Sequence, residues 1–331
     1  MVIVSAPGKV TLFGEHAVVY GEPAIAMAID KRVRVEAVKR TDEVIRIEAK
    51  DLVLAGFRAV IASNGSMTLE GESRKVLAAL SYVKKAVELV QDRYGIRHGA
   101  HLSITSEMPV GAGLGTSAAV AVSVVKAYSA ICGVELSEEE CATLGHQVEL
   151  AVQGMASKMD TTTTAIGGVL YIDPKREKVY ERIEHPSNLR SLVIGYVNRE
   201  SSTSEMVDKV RRLRSELPGV VDLIIKIMGE ITRRARSCIE SGNLSEIGLL
   251  MNVNHGLLEA IGVSTTKLSQ MVYAARLAGA LGSKITGAGG GGCIVALAPG
   301  REEEVIAALK AIGASAFKAN PSSEGVKIEE G

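Results

Sequence analysis

The 331-residue chain has no tryptophan, only three phenylalanines and only eight tyrosines. So thin an aromatic supply excludes a stacking platform for single-stranded nucleic acid. An excess of either charge is also missing, since 38 Lys plus Arg balance 38 Asp plus Glu. That excludes a polybasic nucleic-acid face, an acidic solvating chain and a charged tail. No apolar run reaches the ~18 residues that suggest a membrane span. The four cysteines, Cys132, Cys141, Cys238 and Cys293, lie far apart and form no CxxC pair. With no signal peptide ahead of them, they are expected to be reduced thiols of a cytoplasmic protein, not a zinc site or a disulfide framework.

Glycine, by contrast, is plentiful: 34 residues, about a tenth of the chain, against an average of about 7%. The glycines cluster, which points to binding loops built from backbone. At about 150 residues per domain the length suggests two domains.

Short β-branched runs at 25–29, 33–38 and 44–47 read as strands, and apolar residues at threes and fours predict a helix over 72–94. A strand at 101–105 feeds a glycine loop and then a small-residue helix over 116–132. Ser137 opens a further helix with a capping box through Glu140. Thr161 to Thr164 read as a strand or cap segment. Strands follow at 169–172 and 192–197. After residue 200 the pattern is mostly helical (204–214, 219–241, 243–260, 265–279). Strands at 283–286 and 293–297 flank another glycine loop, before a helix at 302–312 and short terminal strands. The charge run after Asp173 and Pro174 places the domain boundary near 175–190. The class is α/β or α+β.

Three stretches carry chemistry. In the first, Pro7-Gly8-Lys9 to Glu15-His16 and Tyr20-Gly21, Lys9 follows what reads as a Pro-Gly turn, from which a lysine reaches into a site. The second, Pro109-Val110-Gly111-Ala112-Gly113-Leu114-Gly115-Thr116-Ser117, joins strand to helix. That arrangement suits phosphate, because glycines admit close approach and the helix N-terminus presents N–H groups and a favourable dipole. Thr116 or Ser117 is placed to cap the helix or to hold Mg²⁺. Neither the Walker A pattern nor the dinucleotide fingerprint fits. The third, Lys284 to Cys293, holds four consecutive glycines. Ordering them is costly, so a backbone lying against a ligand is expected. Beyond these, Glu149 on the helix from Ser137 and Asp160 just past its end are two carboxylates suited to a metal and a substrate hydroxyl.

These stretches, in this order and at these separations, resemble the GHMP kinases, and within them the archaeal mevalonate-kinase branch. PGKVTLFGEHAVVYG, KITGAGGGGC and NVNHGLLEAIGVS carry the likeness, which covers nearly all of the chain. The resemblance implies an α+β fold: an N-terminal α/β domain with a left-handed βαβ crossover over 1–180, and a ferredoxin-like domain over 181–331. The active site is implied in the cleft between them. Implied too are ATP and mevalonate as substrates, Mg²⁺ as cofactor, no nucleic-acid or membrane partner, and a homodimer as a possible assembly.

Residue by residue, the likeness makes Asp160 and Lys9 catalytic. Pro109, Gly111, Ala112, Gly113, Leu114, Gly115, Thr116 and Ser117 would wrap the ATP phosphates, and Ser117 and Glu149 would hold the metal. Glu15, His16, Thr203, Gly287 and Ala288 would line the acceptor pocket. Two departures stand out. Thr116 replaces a serine, and Ser201 stands where many relatives carry an arginine, with Arg199 nearby to supply that charge. The rival readings are another acceptor (phosphomevalonate, homoserine or a sugar), or a ligand-binding regulator without catalysis.

Overall fold

The computed structural model describes residues 1–49, 57–62, 67–70, 74–108, 112–154, 156–184 and 187–331. The chain opens with two long strands, β1 (Val2–Phe13) and β2 (Ala24–Lys39), paired antiparallel almost end to end. β2 absorbs both predicted runs at 25–29 and 33–38. Next come β3 (Ile45–Ala49), β4 (Phe57–Ile61), β5 (Met67–Glu70), helix α1 (Arg74–Tyr94) and β6 (Ala100–Ser106). Then follow α2 (Thr116–Ile131), α3 (Glu138–Gln153), α4 (Lys158–Ile166), β7 (Val169–Ile172) and β8 (Tyr180–Ile183). Among the described residues β3 and β6 are the one parallel pair. A parallel pair needs a crossover, and β4, β5 and α1 supply it.

The second half is a four-stranded antiparallel sheet in the order β10-β11-β9-β12. Its elements are β9 (Leu192–Val197), α5 (Thr203–Glu216), α6 (Pro218–Ser241), α7 (Leu244–Ala260), α8 (Thr266–Leu277), β10 (Gly282–Thr286), β11 (Gly292–Leu297), α9 (Glu302–Ala311) and β12 (Ser315–Ala319). Two helix-bearing connections around a central hairpin make this the split-βαβ, ferredoxin-like order. The last strand, β13 (Lys327–Glu330), returns to the first sheet and pairs with β1.

Local chemistry explains much of this. The apolar stripe of α1 is buried at Leu80, Val83, Val87 and Val90. Ala118, Ala119, Ala121 and Ala127 are fully buried, and their small side chains let α2 press closely onto β1 and β2. The capping box at Ser137 and Glu140 forms as read, and a second one at Ser202 and Glu205 opens α5.

The residues 161–164 depart from the strand or cap reading: all four threonines lie in α4. Burial overrides their weak helix propensity. Each is at most 7% exposed, and Thr163 Oγ1 donates to the Met159 carbonyl one turn back at 2.7 Å. The Pro7-Gly8 turn is absent as well. Both residues sit inside β1, where the pairing register shifts between them.

Candidate active site

β1 carries the first functional group. A Cβ at Gly8 would meet Met108 Sδ at 2.0 Å and the Leu114 carbonyl oxygen at 2.9 Å, so the second glycine-rich loop can pack here only against glycine. The Lys9 N–H ties the two together by donating to Leu114 O at 2.8 Å. Lys9 is 2% exposed. Its Nζ stands 3.0 Å from Asp160 Oδ1 and 3.4 Å from Thr11 Oγ1. Gly115 gives this side chain its channel: φ is +73°, and a Cβ would lie 2.8 Å from Lys9 Cγ. Gly115 is also the N-cap of α2, so the buried lysine lies beside a helix start, whose N–H groups and dipole favour an anion.

Opposite the lysine are two carboxylates. Glu149 sits in the last turn of α3, 3% exposed, and accepts from Ser117 Oγ at 3.2 Å. Asp160 sits in the first turn of α4. Burial first, and then the charge of Asp160, push the Glu149 carboxyl up to about 8; the Ser117 hydrogen bond and Lys9 pull the other way. Two carboxylates short of positive charge invite a cation. Among the described residues no group of three His, Cys, Asp or Glu side chains is placed to hold a metal. Ser117 Oγ and Glu149 Oε1, with Asp160 beside them, are hard oxygen donors. They fit Mg²⁺, which commonly completes its shell with substrate phosphate and water.

The third glycine-rich stretch behaves differently from its reading. Gly289, Gly290, Gly291 and Gly292 all have positive φ and are buried against the protein itself. A Cβ at Gly289 would sit 2.2 Å from Val263 O, and one at Gly291 2.7 Å from Asn198 O. Gly289, Gly290 and Gly291 therefore serve tight packing of the loop on its own domain, whereas a Cβ at Gly292 would lie 3.0 Å from Ala112 O of the second loop. Gly287 and Ala288 alone in the loop stay half-open. Gly287 faces the second loop, its Cβ position 3.4 Å from Gly113 O.

Arg199, in the turn between β9 and α5, is wedged between these loops. Its Nη2 is 3.0 Å from the Cβ position of Gly113, and its Nε is 3.2 Å from that of Gly292. Nη1 donates to Thr203 Oγ1 at 2.9 Å, while Nε is buried without a partner. Its charge is felt by Asp160. A guanidinium thus reaches the cleft although position 201 is serine.

His16 and Glu15 reach the third stretch from the start of the chain. His16 has φ +60°, the one positive φ outside glycine among the described residues. Its Nε2 is 2.9 Å from Ala288 O, so Nε2 carries the proton. Burial pushes this imidazole's pKa down, keeping it neutral. Glu15 is 3% exposed and ion-paired to Lys284, and it accepts from Asn254 Nδ2 at 3.4 Å.

The folded chain thus gathers Lys9, Ser117, Glu149, Asp160, Thr203 and the loops at 112–117 and 287–288 around one cleft. Pro109 and Gly111 lie outside the described residues. Glu15 is near but turned into the protein, with both oxygens engaged. Sequence reasoning missed Tyr82 on α1. Its hydroxyl bonds Ser117 and accepts from Gln153 Nε2 at 2.6 Å, and burial and the charge of Glu149 push it up to about 12. No motif marks Tyr82, because only the packing of α1 on α3 brings it there. Lys284 and Asn254 fall inside recognised stretches, but neither was given a role.

Comparison with known proteins agrees with this geometry. The family described as GHMP kinases N terminal domain matches residues 81–168, and GHMP kinases C terminal matches 235–315. A galactokinase galactose-binding signature matches 1–39. The chain belongs to the GHMP kinase family and is an ATP-dependent small-molecule kinase. Relatives that it matches over nearly its whole length include archaeal mevalonate kinases. That of Pyrococcus abyssi is 47% identical over 335 residues, covering 100% of this chain and 98% of the relative. That of Thermococcus sibiricus is 48% identical, covering 99% and 98%. The crystal structure of L. major mevalonate kinase in complex with R-mevalonate superposes with TM-score 0.79 at 26% identity, covering 96% of this chain and 95% of that one. Among the described residues no helix is long and apolar enough to cross a membrane.

Proposed function

We propose that this chain is a mevalonate kinase, transferring the γ-phosphoryl group of ATP to the 5-hydroxyl of mevalonate to give 5-phosphomevalonate. The observation that carries the reading is the ion pair of Lys9 and Asp160 beneath the second glycine-rich loop, at 3.0 Å. Phosphoryl transfer passes through a loose transition state, so positioning and charge neutralisation dominate. Asp160 aligns the acceptor hydroxyl and takes its proton as the new P–O bond forms. Lys9 pairs with Asp160 and faces the charge growing on the phosphoryl oxygens. The loop from Pro109 and Gly111 through Thr116 wraps the phosphates at the N-terminus of α2.

Ser117 and Glu149 hold Mg²⁺, which when bound neutralises the phosphate charge. His16, Thr203, Gly287 and Ala288 line the acceptor pocket, with Glu15 behind His16. In this reading residues 1–180 form the ATP-binding domain and 181–331 the C-terminal domain, with the acceptor pocket in the cleft between them. The enzyme works in the cytoplasm, with a homodimer as one possible assembly.

The galactose-binding signature over 1–39 makes a sugar the acceptor to test beside mevalonate. ADP release by the purified protein with Mg-ATP is measured with mevalonate, galactose, homoserine and phosphomevalonate in parallel. Turnover with mevalonate alone, giving a singly phosphorylated product, is expected. Turnover only with another acceptor overturns the substrate. ATP binding without any turnover makes the chain a ligand-binding regulator.

A further inference from the structure

Three contacts staple the beginning of the chain to the second sheet. The Thr11 N–H donates to Thr286 Oγ1 at 2.8 Å, the His16 ring meets Ala288 O at 2.9 Å, and between them Lys284 ion-pairs with Glu15. The middle contact is the charged one, and it is sealed: Lys284 is 0% and Glu15 3% exposed. Lys284 rises from the centre of β10, facing Val295 across the hairpin. Its ammonium also donates to the Ile285 carbonyl at 2.6 Å. Glu15 spends its other oxygen on Asn254 of α7. Two of the three ammonium donors and both carboxylate oxygens are engaged inside the protein, and both groups are sealed from solvent.

A buried ion pair contributes little net stability, because desolvation offsets its attraction. Breaking it by removing one partner, however, leaves a buried charge unpaired and is strongly destabilising. Its clearest physical use is to fix one arrangement. What lies next to this pair is the residue most in need of fixing. His16 directly follows Glu15, and its backbone is held at φ +60°. A side-chain-bearing residue persists there only when its surroundings over-determine it.

We propose that Lys284 is a positioning residue for the acceptor side of the cleft: anchoring Glu15 across the two sheets, it holds the strained His16 and the Ala288 loop in register. The inference rests on the reading that His16 and Ala288 line the acceptor pocket. Lys284 acts there through Glu15 and not by touching the substrate. The ATP side is held by other contacts, chiefly Lys9 on Leu114 and Gly8 on the second loop. Loss of the pair therefore weakens acceptor binding selectively.

The test compares Lys284→Met with the double variant Glu15→Gln/Lys284→Met, which removes both charges at similar volume. Measured are the melting temperature, the KM for mevalonate and for ATP, and ATP binding by titration calorimetry. Lys284→Met is expected to melt lower. In the double variant the melting temperature recovers, yet the KM for mevalonate stays at least tenfold raised while the KM and Kd for ATP change less than twofold. A double variant with wild-type KM for mevalonate overturns the proposal, because the pair would then be a filler of the core. Equal rises in both KM values overturn it too. If the wild type phosphorylates a different acceptor, the same comparison is made with that acceptor. The identity of the substrate and the role of Lys284 are thus judged separately.

Discussion

Lys9 and Asp160 face each other at 3.0 Å across the junction of β1 and α4, with the lysine sealed from solvent and the aspartate side chain 28% exposed. The asymmetry suits their proposed work. The lysine supplies a fixed charge, and the carboxylate keeps an open side for a hydroxyl. Asp160→Asn keeps the shape and removes the base. Turnover is expected to fall by ~10²–10⁴, the usual worth of general-base help. ATP binding, followed by calorimetric titration, is expected to persist. Near-normal turnover would take Asp160 out of the mechanism.

Gly115 tests the channel that lets Lys9 reach this position. At φ +73°, with a Cβ 2.8 Å from Lys9 Cγ, alanine is both strained and in the way. Backbone strain of about 1–2 kcal/mol is expected from the left-handed conformation alone. Displacing a charged group by ~1 Å costs on the order of 10²-fold in rate. Gly115→Ala should therefore lose both melting temperature and turnover. The Gly154→Ala variant, also at positive φ but with nothing within 4 Å, should lose melting temperature only.

Arg199 is the cation that links both glycine loops to Thr203. Arg199→Met removes the charge felt by Asp160 and is expected to lower kcat/KM about 10²-fold, the scale of one preorganised donor. Thr203→Val removes one acceptor for that guanidinium and is expected to cost about tenfold or less, since a single hydrogen bond contributes about 1–1.5 kcal/mol. Steady-state kinetics rank the two. The reverse order would mean that Thr203, not Arg199, makes the important contact.

His255 governs the acid limb of stability. It is 1% exposed on α7, and its Nε2 lies 3.4 Å from Glu259 Oε1. Burial lowers its pKa to about 4 in the folded chain, against the pull of Glu259. Unfolded, the same imidazole titrates near about 6.5. Below that value the unfolded chain takes up a proton that the folded chain refuses. Stability is therefore lost as pH falls from about 6.5 toward about 4, by at most about 1.4 kcal/mol per pH unit. Glu149, pushed up to about 8, acts in the opposite sense over the same window. The His255 contribution is therefore read as the difference between wild-type and His255→Gln melting curves at pH 7, 6 and 5, which should shift in the variant's favour as pH falls. An unchanged difference would assign the effect to other groups, such as His16, which shifts in the same direction.

The strands and helices with a clear period were legible from residues alone, since one side of each must be apolar to fit the core. The strand at 192–197 is β9 to the residue. α4 was not legible. Four consecutive threonines belong in a strand by propensity, and only burial on every side, with an i−4 hydrogen bond, makes them helical. The glycines of 289–292 show a similar limit. Their need for unusual backbone was legible, whereas what pressed against them was the protein's own Val263, Met206 and Asn198.

For the site, residue types beside a glycine loop made Lys9, Thr116 or Ser117, Glu149 and Asp160 candidates, because lysine, hydroxyl and carboxylates are what phosphate chemistry requires; the resemblance to the GHMP kinases chose Ser117 and set the roles. That selection is a property of the sequence. Tyr82, Asn254 and Lys284 carry no such mark. A tyrosine on an amphipathic helix, an asparagine and a strand lysine read as surface residues until the two sheets meet. The tertiary structure alone decided that Lys284 would be buried and that Glu15 would be its partner. Their positions are 269 residues apart, and no local pattern encodes a contact at that separation. The sequence determined which groups were available for catalysis; packing between the two halves decided which of them face the cleft and which hold it in place.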